Sequence, residues 1–323
     1  MSHAVEIENL TVTFQSGRGD VRAVDGVSLA LPQGQVMALL GESGSGKSVT
    51  LRSLLRLHAP KRTRVTGAIR VAGRDVLALS RDDLADFRGG TVSMIFQEPM
   101  LALDPVYTVG QQIIEAIRRH EAISAADARA RALSLFERVR IPSPDRRLDA
   151  YPHEMSGGMR QRAMIALALA CRPSVLLADE PTTALDATVQ IQILLLLREL
   201  QRELGLSIIF VTHDIGVAVE IADSISVMYA GRVVESGSVR DVMRAPRHPY
   251  TRGLLASRVE RAAKGDRLDT IPGSPPDLSA LPPGCAFAPR CALALPDCRA
   301  AAPPLAAVAA GHAAACIRSG ELV

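Results

Sequence analysis

The sequence contains no tryptophan, and aromatic residues make up only 3% of its 323 positions. Aliphatic side chains must therefore fill any core. An excess of one charge is missing too. Lys and Arg number 37 against 34 Asp and Glu, a net charge of +3, which argues against a dedicated nucleic-acid binder. No apolar run approaches the roughly 18 residues that span a bilayer. The longest, Ala163–Cys171 and Ala300–Ala310, are too short, and the second contains Pro303-Pro304. The start, Met1-Ser2-His3-Ala4-Val5-Glu6, lacks a basic stretch followed by an apolar one, so no secretion signal is expected. Five cysteines in a chain this long do not make a disulfide scaffold. The expectation is a cytoplasmic protein whose membrane work goes through partners.

Hydrophobic residues reach 48%, enough for a sizeable core and for more than one domain. Val5, Ile7, Leu10, Val12 and Phe14 alternate as in a strand, as do Val27, Leu29 and Leu31. Gln35–Leu40 reads as a buried strand and Lys47 to about Leu57 as the helix after it. Residues 98–170 read as mostly helical, with Gly110–His120 and Ala125–Val139 at helical spacing and a break at Pro142 and Pro144. From 174 onward strands and helices alternate. Strands are expected at Val175–Ala178, Ser207–Thr212 and Ile225–Tyr229, with helices at about Asp186–Leu204 and Ile215–Ile221. That order implies an α/β fold with a mainly parallel sheet. Composition shifts near Ala245 toward Pro, Ala and Cys, so residues 246–323 are expected to be an irregular extension. No internal repeat is evident.

Between Gln35–Leu40 and the helix lies Gly41-Glu42-Ser43-Gly44-Ser45-Gly46-Lys47-Ser48. Glycines let backbone amides close around phosphate oxygens, and the helix adds the positive end of its dipole. Lys47 should reach the β- and γ-phosphates, and Ser48 should place its hydroxyl on magnesium. The acid-free stretch Val49–Arg74, with Arg52, Arg56 and Lys61 among seven basic residues, reads as a solvated face. Asp179 ends a buried strand, where a carboxylate is costly without a cation to serve. Glu180 beside it should point elsewhere, by strand alternation, and polarise a water. Gln97 and His213 each end a strand, the edge at which ligands gather in open α/β sheets.

These motifs, in this order, resemble the ATP-binding cassette superfamily over about residues 1–245. Gly41–Ser48 is similar to its Walker A, with Gly41, Ser43, Gly44, Gly46, Lys47 and Ser48 on ATP. Ala178-Asp179-Glu180 is similar to Walker B, Gln97 to the Q-loop glutamine and Ser156-Gly157-Gly158 to the signature motif. Ala184-Leu185-Asp186 is similar to the D-loop, His213 to the switch histidine and Phe14 to the adenine-stacking aromatic. The resemblance implies a P-loop ATPase core with a helical subdomain at about 98–170. It implies a head-to-tail cassette dimer, with Ser156, Gly157 and Gly158 closing on a partner's ATP. Glu180, His213 and Gln97 would be catalytic, with Mg2+ on Ser48, Gln97 and Asp179.

Met159, in Ser156-Gly157-Gly158-Met159-Arg160-Gln161, and His248-Pro249-Tyr250-Thr251 with the Cys-bearing tail resemble the ATP-binding subunits of oligopeptide/dipeptide permeases. This implies a peptide importer with two transmembrane permease subunits, a second cassette subunit in a heterodimer and an extracytoplasmic binding protein. The chain would then sit at the cytoplasmic face of the inner membrane. Nickel, glutathione or another small solute is the alternative cargo. A soluble cassette ATPase of DNA repair or translation is the alternative class. Proteins of that class usually carry two cassettes in one chain or long coiled-coil or zinc-bearing insertions between the loop and the signature, whereas Lys47 and Ser156 here are separated by about one ordinary helical domain with no long heptad run.

Cys285, Cys291, Cys298 and Cys316 crowd the tail as Cys-x5-Cys-x6-Cys-x17-Cys. Zinc takes tighter pairs, and iron–sulfur clusters accept wider spacing. The permease resemblance also implies a [4Fe–4S] cluster in some members. A cluster, zinc and unmetallated thiols all remain open. His312 reads as a surface histidine, with metal ligation as the alternative.

Overall fold

In chain order the strands are β1 (His3–Phe14), β2 (Val21–Pro32), β3 (Val36–Leu40), β4 (Thr63–Val71), β5 (Arg74–Asp75), β6 (Val92–Ile95), β7 (Val175–Asp179), β8 (Ser207–Thr212), β9 (Ser224–Tyr229), β10 (Arg232–Ser238), β11 (Ala306–Ala309) and β12 (His312–Ala314). The helices are α1 (Lys47–Leu54), α2 (Arg81–Gly90), α3 (Pro99–Ala102), α4 (Val109–His120), α5 (Ala125–Arg138), α6 (Pro144–Leu148), α7 (Gly157–Leu169), α8 (Ala187–Leu204), α9 (Ile215–Ile221), α10 (Val239–Arg244) and α11 (Pro249–Ala256). The structure is a computed structural model and describes residues 2–15, 17, 19–183, 185–257 and 270–322. Contacts divide the chain into two units. The first comprises Met1–Val5, Leu31–Gln35 and Arg70–Val211, and the second comprises Glu6–Ala30, Val36–Ile69 and Thr212–Val323.

In the first unit β6, β7 and β8 run parallel, with Ile95 opposite Ala178 and Asp179 opposite Val211. Every residue of β7 and β8 is buried, as expected of parallel strands covered on both faces. The helical region is present as α3 to α7. Thr108 and Gln111 form a capping box at the start of α4. Pro144 opens α6 at its first turn, where no intrahelical N–H is needed. Ile113, Ile117, Leu135 and Phe136 bury the inner faces of α4 and α5. In α8, Leu196, Leu197 and Leu200 are buried while Leu195 is 63% exposed. Its leucine run thus packs along one face, as amphipathic spacing dictates.

In the second unit β3 runs parallel to β9, with Leu40 opposite Val227. Helix α1 stops at Leu54, three residues before the expected end. Arg56 takes a left-handed conformation there (φ 49°), which α-helical propagation does not allow. A second sheet orders β2, β1 and β4 side by side.

The parallel expectation fails beyond β9. Ala230 and Gly231 are both left-handed (φ 48° and 81°), the geometry of a tight hairpin turn, and they fold β10 back antiparallel on β9. β12 then pairs with β10, Glu235 opposite Ala314, and β11 pairs with β12. The composition change at Ala245 thus falls inside this unit, and the tail is less irregular than its sequence suggests. Three aromatic rings meet within its largely aliphatic core. Tyr229 and Tyr250 ring centroids lie 4.7 Å apart, and Phe287 packs edge-on to Tyr229 at 5.2 Å. His312 is not a surface histidine. It is 4% exposed, with its Nε2 2.8 Å from the fully buried Glu235 carboxylate. Among the described residues, no helix is long and apolar enough to cross a membrane.

Candidate active site

The chemistry-bearing residues fall into two groups, one in each unit. In the second unit β3 is buried at all five positions and delivers the chain directly into the glycine loop. Gly41 has φ +154°, and a Cβ there would meet the Met228 carbonyl oxygen at 2.3 Å. Gly46 has φ +100°, and its Cβ would lie 2.6 Å from the Ala23 carbonyl oxygen. Both positions are closed to side chains by sterics as well as by backbone conformation. Ser43 and Gly44 are exposed at the loop tip, and Ser48 is half-buried in the first turn of α1. Lys47 is 4% exposed. Its ammonium donates to the carbonyls of Gly41 at 2.7 Å and Glu42 at 2.9 Å, with Ser45 Oγ at 3.4 Å. The loop thus stores its cation on its own main chain, a set of bonds that phosphate oxygens can replace.

Phe14, at the end of β1, is only partly buried and packs edge-on to His58 with 5.5 Å between centroids. It is therefore no closed core residue. Burial pushes the His58 pKa down from its ordinary value, which favours the neutral ring. His213 is exposed immediately after β8.

In the first unit Asp179 closes β7 at 2% exposure. Glu180 follows in a left-handed conformation, φ +46°. Strand alternation therefore does not set its direction, contrary to expectation; a backbone turn does. Such a conformation is costly for a residue other than glycine and concentrates at functional sites. The Glu180 N–H donates to the Val211 carbonyl at 3.1 Å. Its Oε2 accepts from Thr183 Oγ1 at 2.9 Å and lies 3.5 Å from Gln97 Nε2. The structure thus brings Gln97 to Glu180. Gln97 is exposed just beyond β6.

Ser156 caps α7, its Oγ accepting from the Met159 N–H at 3.3 Å. Ser156 and Gly157 are exposed, and Gly158 is half-buried, so this helix start faces outward. Asp186 caps α8 by accepting from the Val189 N–H at 2.9 Å, a structural task its sequence context did not announce. Ala184 lies outside the described residues.

The four tail cysteines line one small cavity. None of the described cysteines is in a disulfide. Burial pushes the thiols of Cys285, Cys291 and Cys316 up, which favours the protonated form over the thiolate that a metal needs. Among the described residues, no group of three or more His, Cys, Asp or Glu is arranged to hold a metal ion. The expected iron–sulfur or zinc centre is therefore not supported by this geometry, although the donor chemistry suits it.

Sequence reading missed Arg290, which forks onto the loop residue Glu42 at 2.6 and 3.0 Å. It also missed Tyr250, whose hydroxyl accepts from the Glu42 N–H at 2.8 Å. Only the spacing His248-Pro249-Tyr250 offered a signal.

The ABC transporter family matches residues 24–183, and the oligopeptide/dipeptide transporter C-terminal region matches residues 234–298. A relative in Brucella abortus (strain 2308), provisionally named a peptide import ATP-binding protein, is 49% identical over 98% of both chains. Another so named, in Brucella melitensis biotype 1, is 48% identical over 97% of this chain and 94% of its own. Among solved structures, a dimeric ATP-binding cassette in a post-hydrolysis state with ADP and Pi aligns at a TM-score of 0.66. It is 31% identical and covers 73% of this chain and 99% of its own. A Clostridium perfringens cassette, part of an ABC transporter complex, aligns at 0.64 with 28% identity, covering 75% and 91%. With a strand-fed glycine loop, a strand-ending Asp179-Glu180 pair and relatives that match it end to end, the chain belongs to the ABC transporter family, as an ATP-binding cassette ATPase.

Proposed function

We propose that this cassette ATPase powers an importer of di- and oligopeptides. The single observation that carries the reading is continuity. The relatives named for peptide import match the cassette and the Cys-bearing tail together, over 98% of the chain. The division between them is read as 1–245 for the cassette and 246–323 for the extension.

In this reading Gly41, Ser43, Gly44, Gly46 and Lys47 grip the triphosphate through loop amides and the Lys47 ammonium, which leaves its carbonyl partners to do so. Phe14, with its face partly open, stacks on adenine. Ser48, Gln97 and Asp179 would be the residues that hold magnesium, through hydroxyl, amide and carboxylate oxygens of the hard kind it takes, and the ion would supply neutralisation of phosphate charge. Glu180 accepts a proton from the attacking water, with Gln97 steadying its carboxylate and His213 on the γ-phosphate side. Phosphoryl transfer needs positioning and charge neutralisation above all, so this set suffices. Ser156, Gly157 and Gly158, on an outward helix start, seal the nucleotide of a second cassette, and Asp186 adjoins that interface.

Two transmembrane permease subunits, a second cassette subunit and an extracytoplasmic binding protein complete the machine. The chain would then sit peripherally at the cytoplasmic face of the inner membrane. The four thiols are the ligand set for a [4Fe–4S] cluster in this reading, with zinc the alternative. Their lining of one cavity supports it, and their arrangement does not. Iron and sulfide analysis of anaerobically purified full chain tests it, and absence of both iron and zinc removes it.

The transport reading is tested with the assembled complex in proteoliposomes. Peptide-loaded binding protein should stimulate ATP hydrolysis severalfold and drive peptide uptake. Uptake of nickel or glutathione with no response to peptides would overturn the cargo assignment.

A further inference from the structure

Glu42, the second residue of the glycine loop, is held from the C-terminal extension at two points. Its N–H donates to the Tyr250 hydroxyl at 2.8 Å. Its carboxylate accepts two bonds from the Arg290 guanidinium, at 2.6 and 3.0 Å. Arg290 is itself fixed. Its side chain is 5% exposed, its Nε donates to the Pro272 carbonyl at 2.8 Å, and it lies 5.9 Å from the Tyr229 ring centroid. The Glu42 carbonyl accepts from Lys47 Nζ at 2.9 Å. One residue thus links the extension to the loop's cation.

A carboxylate in a loop built for triphosphate is a liability, because like charges repel. A bidentate guanidinium answers it. It cancels the charge and fixes the direction in which the carboxylate points, which a lysine point charge cannot do. The Tyr250 bond fixes the main chain of the same residue. The Glu42 carboxylate pushes the guanidinium pKa further up, so Arg290 keeps its charge at every working pH.

We propose that Arg290, assisted by Tyr250, is a positioning residue for the phosphate loop: it neutralises and orients Glu42 so that the loop admits ATP. The extension is in this sense part of the nucleotide site. The inference rests on reading Gly41–Ser48 as the phosphate loop.

The test measures ATP binding and steady-state hydrolysis by the assembled transporter. Arg290→Met should raise the ATP KM about tenfold, the scale of one charge-assisted hydrogen bond, with kcat within about twofold. Adding Glu42→Gln should bring the KM back to within about threefold of the parent, because the uncompensated carboxylate is gone. A merely structural role for Arg290 would not produce that rescue. If Arg290→Met does not fold, Arg290→Lys keeps the stem and charge without the fork and should raise the KM about threefold or more. An unchanged KM in the folded Arg290 variant, or a double variant as weak as Arg290→Met, overturns the proposal. Lys47→Ala separates the two readings. If it binds ATP like the parent, the phosphate-loop reading falls; if it fails to bind while the Arg290 variant is unaffected, only the positioning role falls.

Discussion

Gln97 Nε2 stands 3.5 Å from Glu180 Oε2, just beyond the ends of β6 and β7, and Thr183 Oγ1 donates to the same oxygen at 2.9 Å. The carboxylate is therefore oriented before any water meets it. Glu180→Gln keeps the shape and loses the proton acceptor. It should bind ATP with parental affinity and lose hydrolysis by roughly 10²-fold or more. Phosphate release by the assembled complex, beside nucleotide binding, checks this; brisk turnover would remove Glu180 from that role.

Lys47 has a different signature. Lys47→Ala removes the cation from the loop and strips the Gly41 and Glu42 carbonyls of a donor. ATP affinity should fall by roughly tenfold or more, the scale of a lost charge-assisted bond. Equilibrium titration with a fluorescent ATP analogue measures it.

Gly46→Ala tests the loop's backbone. The new Cβ would sit 2.6 Å from the Ala23 carbonyl oxygen at φ +100°. Strain of this kind costs about 1–3 kcal/mol. Urea denaturation should show that loss, accompanied by weakened ATP binding, whereas Gly44→Ala, with nothing within 4 Å of its Cβ, should be milder.

His248 gives the protein a pH dependence. Burial lowers its pKa from 6.5 to about 3, and its Nδ1 accepts from the Tyr250 N–H at 3.1 Å. Between those values the unfolded chain binds a proton that the folded chain refuses. Stability from this group is therefore complete above pH 6.5 and falls as pH drops toward 3, by about 1.4 kcal/mol per unit. Denaturation at pH 7 and pH 5 should show the slope, and His248→Gln should flatten it. The Glu235 carboxylate, which accepts from the His248 N–H at 3.0 Å, must be retained in that comparison.

Local patterns carried a good part of this structure. Ser207–Thr212 appears at the expected residues because an apolar run fills it between polar ends, and Ile215–Ile221 because Asp214 caps its start and its apolar residues recur at helical spacing. Ser156, Lys47 and Asp179 were legible because phosphate and metal chemistry demand residue types at fixed spacings. The Arg290–Glu42 pair was not, since its members lie 248 positions apart and nothing near either one announces the other. The β9–β10 turn was hidden for a related reason. Ala230 adopts a conformation its type disfavours, so no turn signature marks it. Glu180 shows the same failure at the site itself, where a left-handed backbone replaced the alternation expected of a strand.

The short β12 lies along β10 in the second unit, and β11 of four residues lies beyond it. Without that hairpin, the unpaired amides and carbonyls of β10 would form an open template for a neighbouring molecule's strand. The tail therefore also serves as a selvedge. It finishes the sheet with a four-residue edge strand, and short edges of this kind disfavour pairing with another molecule's strand.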